Sequence, residues 1–255
     1  MKVLLAVLVF LFCASSISIN AFDKKGLVLR LPFDEGSGKV AKDASGNKND
    51  GELQGNVEWV DGEHKKAVKI SDDAANNMVV VKDSNSLDVV DQISFGCWVN
   101  IEAMPDSHCS LITKADTYMI HTSNWSGKGI EQEPLLWPFD AWQTPASAPI
   151  QLNEWHHVFG VYDGKEIKTF IDGELKGRRA YTSKIAVTVN DVVVGRDSRT
   201  CCNTRRSRVI IDDVMIFSRA ISDREVKEVM ASTGGISVEP TDRLTTLWGH
   251  IKVEF

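Results

Sequence analysis

Oxygen-bearing side chains gather early in the chain. Asp34 closes an apolar stretch, and Asp43, Asn47 and Asn49 follow with Gly51 in a loop rich in glycine and asparagine. Calcium takes about six to eight oxygens from carboxylates, amides and backbone carbonyls, and a loop of this kind can aim several of them at one point. Far along the chain, Asp212 and Asp213 interrupt the apolar, β-branched run RVIIDDVMIF, Arg208 to Phe217. A carboxylate buried in such a run is costly unless it is paired or bound to a metal. The competing reading is structural: Asx turns in the loop and hydrogen-bonded acids on the strand.

A second constellation lies in SNWSGKGIEQEPLLWPFDAWQTPASAP, Ser123 to Pro149. It holds Trp125, Trp137 and Trp142 of the chain's 7 tryptophans, a concentration that points either to a surface for a ligand or to a small core under a long loop. Indole faces stack on the C–H faces of sugars. Glu131, Gln132, Glu133, Asp140 and Gln143 would meet sugar hydroxyls. Glu131 and Glu133 are also the nearest approach to the carboxylate pair of a glycoside hydrolase, but nothing in the residues around them reads as a strand. Histidines at metal-ligand spacing and a Ser/His/Asp set do not stand out, so no catalytic residues are assigned. Thr200–Arg208 is a small basic loop suited to an acidic sugar or sulfate, or simply to water. Asn124-Trp-Ser is an N-glycosylation sequon.

The elements that must position these groups read as strands. Short apolar or alternating runs recur between turn signals at 26–33, 66–70, 78–82, 92–102, 109–114, 118–122, 154–162, 165–176 and 191–196, with a hairpin turn at Asp172-Gly173. Asp34 to Gly62 reads as one long turn-rich region. Ser222 and Glu225 form a capping box for a single late helix, about Ser222 to Ala231. This is an all-β, two-sheet antiparallel sandwich with one short C-terminal helix.

The chain has 255 residues and a net charge of −6, which argues against a nucleic-acid groove. Residues 1–21 carry Lys2, an apolar h-region and small residues near its end. They read as a secretory signal peptide, so a secreted, extracellular protein without a transmembrane anchor is expected. The domain spans 22–233. In the tail, 234–255, Trp248 either packs on the sandwich, belongs to an added edge strand, or sits in an exposed sorting tag. Cys97, Cys109, Cys201 and Cys202 would face an oxidising compartment. Cys97 reads as a core thiol, and Cys109 is expected to bridge to Cys201 or Cys202, with a strained Cys201–Cys202 bridge as the alternative.

The stretch IDDVMIFSRAIS, Ile211 to Ser222, resembles the motif that closes laminin-G-like jelly rolls of the concanavalin A-like lectin type. FDEGSG (Phe33 to Gly38) with DASGNKNDG (Asp43 to Gly51) resembles their opening. ISFGCWVN and EWHHVFGVYDG resemble two of their central strands, so His156 and His157 belong to the family pattern. The resemblance implies a jelly roll whose first and last strands are neighbours. Asp34 and Asp212 would then converge, and many such domains hold calcium there. It implies Ca2+ as cofactor, with Asp34, Asp43, Asn49, Gly51 and Asp212 as ligands. Laminarinase-type glucanases share the sandwich and carry E-[IL]-D-x-x-E on one strand, a motif missing here. The expected function is a non-catalytic module binding carbohydrate or a glycosylated surface through Trp125, Glu131, Glu133, Trp137 and Trp142. The alternatives are an adhesion or scaffold module with an extracellular protein partner and, behind it, a polysaccharide-degrading enzyme.

Overall fold

A computed structural model describes residues 22–106, 108–124, 131–136, 149–197, 199, 202 and 206–233, with only the backbone described at 133–136 and 233. In chain order its strands are β1 (Leu27–Leu31), β2 (Val40–Ala41), β3 (Gly51–Gln54), β4 (Val57–Asp61), β5 (Lys66–Ile70), β6 (Met78–Val81), β7 (Ile93–Ala103) and β8 (His108–Lys114). They continue with β9 (Tyr118–Ser123), β10 (Glu131–Leu136), β11 (Trp155–Tyr162), β12 (Glu166–Ile171), β13 (Glu174–Ala180), β14 (Val192–Val194) and β15 (Arg208–Phe217). Among the described residues one α-helix, α1 (Asp223–Thr233), follows, and a single 3-10 turn lies at Asn85–Leu87.

Two antiparallel sheets pack face to face. The larger runs β13-β12-β11-β7-β15-β5-β4, with β1 also paired to β15; the smaller runs β10-β9-β8-β14-β6-β3-β2. Alternation along each strand sends one row of side chains inward. Leu29, Leu31, Phe95, Val99, Ile211 and Ile216 from the larger sheet meet Val79, Val81, Ile120, Val192 and Val194 from the smaller. Each such aliphatic side chain contributes roughly 1.5–3 kcal/mol by leaving water. A second apolar layer lies outside the larger sheet, where Val226 and Val229 of α1 cover Phe159, Phe170, Met215 and Phe217. Gly96 is required on β7: a Cβ there would lie 2.2 Å from both the Phe159 ring and the Val158 carbonyl of β11.

The expected sandwich, single helix and neighbouring first and last strands are all present. The Asp172-Gly173 turn has φ of 53° and 73°, the left-handed pair that a two-residue hairpin turn needs. The capping box forms: Ser222 N–H donates to Glu225 Oε2 at 2.7 Å and Glu225 N–H donates to Ser222 Oγ at 3.2 Å. Arg219 also grips Glu225 at 2.6 Å, and together these hold its carboxyl down to about 2.

Three expectations are corrected. Asp34 to Gly62 is not one long turn, because β2, β3 and β4 lie inside it. Gly51, which looked like a turn residue, is in register with Val81 on β6, and a Cβ on it would come within 2.7 Å of Val79. Glu131 to Leu136 is a strand rather than loop, paired to β9 along its whole length. Its place at the sheet edge tolerates Pro134, which has no N–H to donate. Finally, Cys109 makes no bridge and carries a free, buried thiol 2.7 Å from Ser207 Oγ. It lies in β8 rather than in a loop; Cys202 is in a turn, and Cys201 lies outside the described residues.

Candidate metal site and candidate binding groove

The two acids of β15 end up on the same side of the sheet, which a regular strand forbids because successive side chains alternate. The register against β7 shifts between Asp212 and Met215, and Asp213 takes a left-handed φ of 44°. This is a β-bulge. It leaves Ile211 and Val214 pointing into the core and turns both carboxylates outward, toward the end of β1. Of the seven non-glycine residues with positive φ among those described, Phe33, Lys65 and Asp213 adjoin or line this spot. Such strain gathers where surrounding structure imposes a geometry.

The result is a small cavity of about 60 Å³ lined by Arg30, Asp34, His64, Lys65, Asp212 and Asp213, with Pro32 and Ser232 at its rim. Arg30 grips Asp213 with two parallel bonds of 2.9 and 2.8 Å. Lys65 pairs with Asp34 at 2.7 Å. Asp212 is 1% exposed and accepts the backbone N–H of His64 at 3.0 Å. Three carboxylates thus face two cationic side chains, and among the described residues Asp212 has no countercharge. Burial, aided by the nearby Asp213 and Asp34 charges, pushes its carboxyl up to about 7.

Asp34 and Asp212 therefore meet, while the rest of the expected cage is committed elsewhere. Asp43 accepts N–H from Arg30, Ser45 and Asn49 and the hydroxyl of Ser45. Asn49 bonds the Val28 carbonyl, Ser84 and Ser86, and Asn47 the Leu27 and Val28 carbonyls. These are the Asx-type clips of the structural reading; they sew the loop to β1. Among the described residues no group of three or more His, Cys, Asp or Glu is arranged to hold a metal. The residues fit a cation through charge and the Asp34–Asp212 carboxylate pair; further oxygens would have to come from backbone and water. Arg30 and Lys65 carry no signal in the sequence, and Asp213, conspicuous beside Asp212 in the strand, is not expected at the cavity because only the bulge brings it there.

The smaller sheet carries a larger opening on its outer face. Its floor is Met78 and Val80 of β6 and Val193 of β14, the residues that alternate with the core-facing Val79, Val81, Val192 and Val194. The rim is polar: Gln54, Asn76, Lys82, Asn190, Asp191 and Asp197. The groove encloses about 490 Å³ and follows β6 for roughly 13 Å at about 3.3 Å per residue. Its rim is braced. Lys82 pairs with Asp191 at 2.9 Å, Asn190 donates to the Ala115 carbonyl at 2.9 Å, and Arg199 holds Asp197 in two bonds of 2.9 and 2.6 Å. At one end Arg196, 1% exposed, ties strand to loop through the carbonyls of Gly195, Ser207, Ser71 and Ala74. An apolar floor with a fixed amide and charged rim suits a ligand with flat C–H faces and many hydroxyls.

The other expected ligand residues are placed as follows. Trp125, Trp137 and Trp142 lie outside the described residues. Glu131 and Glu133 are two apart on β10, opposite Ser123 and His121 of β9, in the same sheet as the groove. His156 bonds Asp172 at 2.9 Å, and His157 is buried within the larger sheet, in keeping with structural roles.

A family profile described as the concanavalin A-like lectin/glucanases superfamily matches residues 72–227. The chain belongs to that superfamily. No curated protein matches the sequence. Among solved structures, domain 4 of AbnA, a GH43 extracellular arabinanase from Geobacillus stearothermophilus in complex with arabinotriose, is 17% identical with a TM-score of 0.63, covering 81% of this chain and 99% of that one. The binding domain of Paraclostridial Mosquitocidal Protein 1 is 16% identical with a TM-score of 0.63; the match covers 82% of this chain but only 52% of that domain. Trypanosoma rangeli sialidase in complex with sialic acid is 16% identical with a TM-score of 0.61, over 84% of this chain and 34% of the sialidase. At these identities the likeness is one of fold. Among the described residues no helix is long and apolar enough to cross a membrane.

Proposed function

We propose that this chain is a secreted, non-catalytic module that binds carbohydrate, and that the sugar lies in the groove over β6 and β14. The observation that carries the reading is the groove itself: Met78, Val80 and Val193 form an apolar floor between Asn76, Gln54 and Asn190. Sugar rings would stack on the floor, and their hydroxyls would exchange bonds with the amides and with the Lys82–Asp191 pair. The arabinotriose complex of AbnA domain 4, a chain of the same fold, supports the class of ligand without specifying it. The tryptophan-bearing segment 125–142 is a second contact in the same proposal. A calcium ion held by Asp34 and Asp212 would be structural, fixing the end of β1 to β15 and to the β4–β5 turn by neutralising Asp212.

A glycan array probed with and without chelator tests the reading. Binding to one or more glycans, lost in Val193→Arg with an unchanged melting temperature, is the expected result. Binding to no glycan, with an extracellular protein recovered instead, would favour the adhesion alternative.

A further inference from the structure

Which sugars the groove over β6 and β14 can take depends on the charges open to it. The described residues that line it include two cations, Lys82 and Arg196, and two carboxylates, Asp191 and Asp197. One of each is closed to a ligand. Arg196 is buried, and its two terminal nitrogens donate to the carbonyls of Gly195, Ser207, Ser71 and Ala74. Asp197 is buried as well and is held by Arg199 in two bonds.

Lys82 and Asp191 are open, with side chains 75% and 32% exposed. The sheet sets them side by side. β14 runs against β6 with Val193 opposite Val80 and Val192 opposite Val81. One residue further along that register Asp191 comes opposite Lys82, on the outward face that carries Val80 and Val193. Lys82 Nζ donates to Asp191 Oδ2 at 2.9 Å. The other carboxylate oxygen, Oδ1, accepts the Asp83 N–H at 3.0 Å and so fixes the group. An ammonium has three donors and a carboxylate oxygen two lone pairs, so the pair keeps both a donor and an acceptor for a ligand lying on the apolar floor.

That donor and acceptor, a hydrogen bond apart, match two neighbouring hydroxyls of a sugar ring. One hydroxyl donates to Asp191 Oδ2 while the next accepts from Lys82 Nζ, and such charge-assisted bonds are the strong ones. A ligand carboxylate or sulfate finds no such match. Its attraction to Lys82 is offset by repulsion from Asp191, and it sheds water with no unopposed cation to replace it. The other rim groups, Gln54, Asn76 and Asn190, are uncharged amides.

We propose, on the footing of the sugar-groove reading above, that the Lys82–Asp191 pair determines specificity: it reads a vicinal diol and restricts the ligand to neutral glycans. Uronic, sialylated and sulfated glycans are turned away.

The test probes the full chain on an array that sets neutral oligosaccharides, arabinotriose among them, beside sialylated, sulfated and uronic ones, with the uronic members present both as free acids and as methyl esters. Binding to neutral members over acidic ones is expected. Lys82→Met should weaken the neutral glycans about tenfold, the loss of one hydrogen bond to a charged group, at an unchanged melting temperature. Asp191→Asn, which keeps an oxygen for the Asp83 N–H, should narrow the gap between neutral and acidic members. Acidic glycans bound as well as neutral ones, neutral binding unchanged in Lys82→Met, or a gap unchanged in Asp191→Asn would each overturn the proposal; if Val193→Arg still abolishes binding, the groove reading stands without it. Binding to no glycan, or binding that survives Val193→Arg, would overturn the groove reading and this proposal together.

Discussion

Replacing Asp212 with Asn should stabilise the metal-free protein at alkaline pH. Asp212 is buried, and its carboxyl rises from the ordinary 3.8 to about 7, so the folded state holds a proton more tightly than the unfolded chain does. The stability this confers is full below about pH 4 and is lost as pH climbs through about 7. A carboxyl raised that far corresponds to an upper bound of about 4 kcal/mol at pH 8. Asparagine keeps an oxygen to accept the His64 N–H, which is 3.0 Å away in the native site, and carries no charge. In chelator at pH 8, D212N should therefore gain about 2–4 kcal/mol, or roughly 5–10 °C in melting temperature. At pH 4 the two proteins should melt together. Calcium should close the gap, raising the wild type by about 3 kcal/mol at a hundredfold excess over Kd and leaving D212N unmoved. Differential scanning calorimetry from pH 4 to 8, with and without calcium, reads all of these. A D212N protein less stable than wild type in chelator at pH 8 would refute the reasoning, because it would mean that the native carboxylate is well paired.

Other outcomes follow from the same geometry. Arg30→Met strands Asp213, which is 4% exposed on its side chain, and should cost about 3–5 kcal/mol in a urea titration at pH 7. Cys97 and Cys109 are buried, and burial raises both thiols; neither should react with iodoacetamide in the native protein, and both should label in denaturant without reductant. A need for reductant before Cys109 labels would restore the bridge. Glu225 is held down to about 2 by Arg219 and Ser222, so its contribution is present above about pH 4.5 and lost as pH falls toward 2. The acid limb of the stability curve should flatten in Glu225→Gln.

Much of the fold was legible because the signals were local. Short apolar or alternating runs between turn signals located β5, β7 and β9, the family pattern located β11, and Ser222 with Glu225 located the start of α1. The strands inside 34–62 were hidden because they are short and glycine-bearing, and because their turn residues outweigh two or three inward side chains. β10 was hidden by Pro134, which only its edge position allows. The meeting of Asp34 and Asp212 was foreseeable once β1 and β15 were taken as neighbours. The role of Asp213 was not, since a one-residue bulge decides which face it occupies. Nor was the groove: MVVV reads as a run buried on both faces, and only the sandwich shows that Met78 and Val80 look outward.

The most direct test of the sugar-binding account is to follow the methyl signals of Val80 and Val193 by NMR while titrating a glycan that scores on the array. Shifts centred on these two residues and on the Asn76 and Asn190 side-chain amides, absent in Val193→Arg, are predicted. Saturable binding that leaves all four unmoved would contradict it.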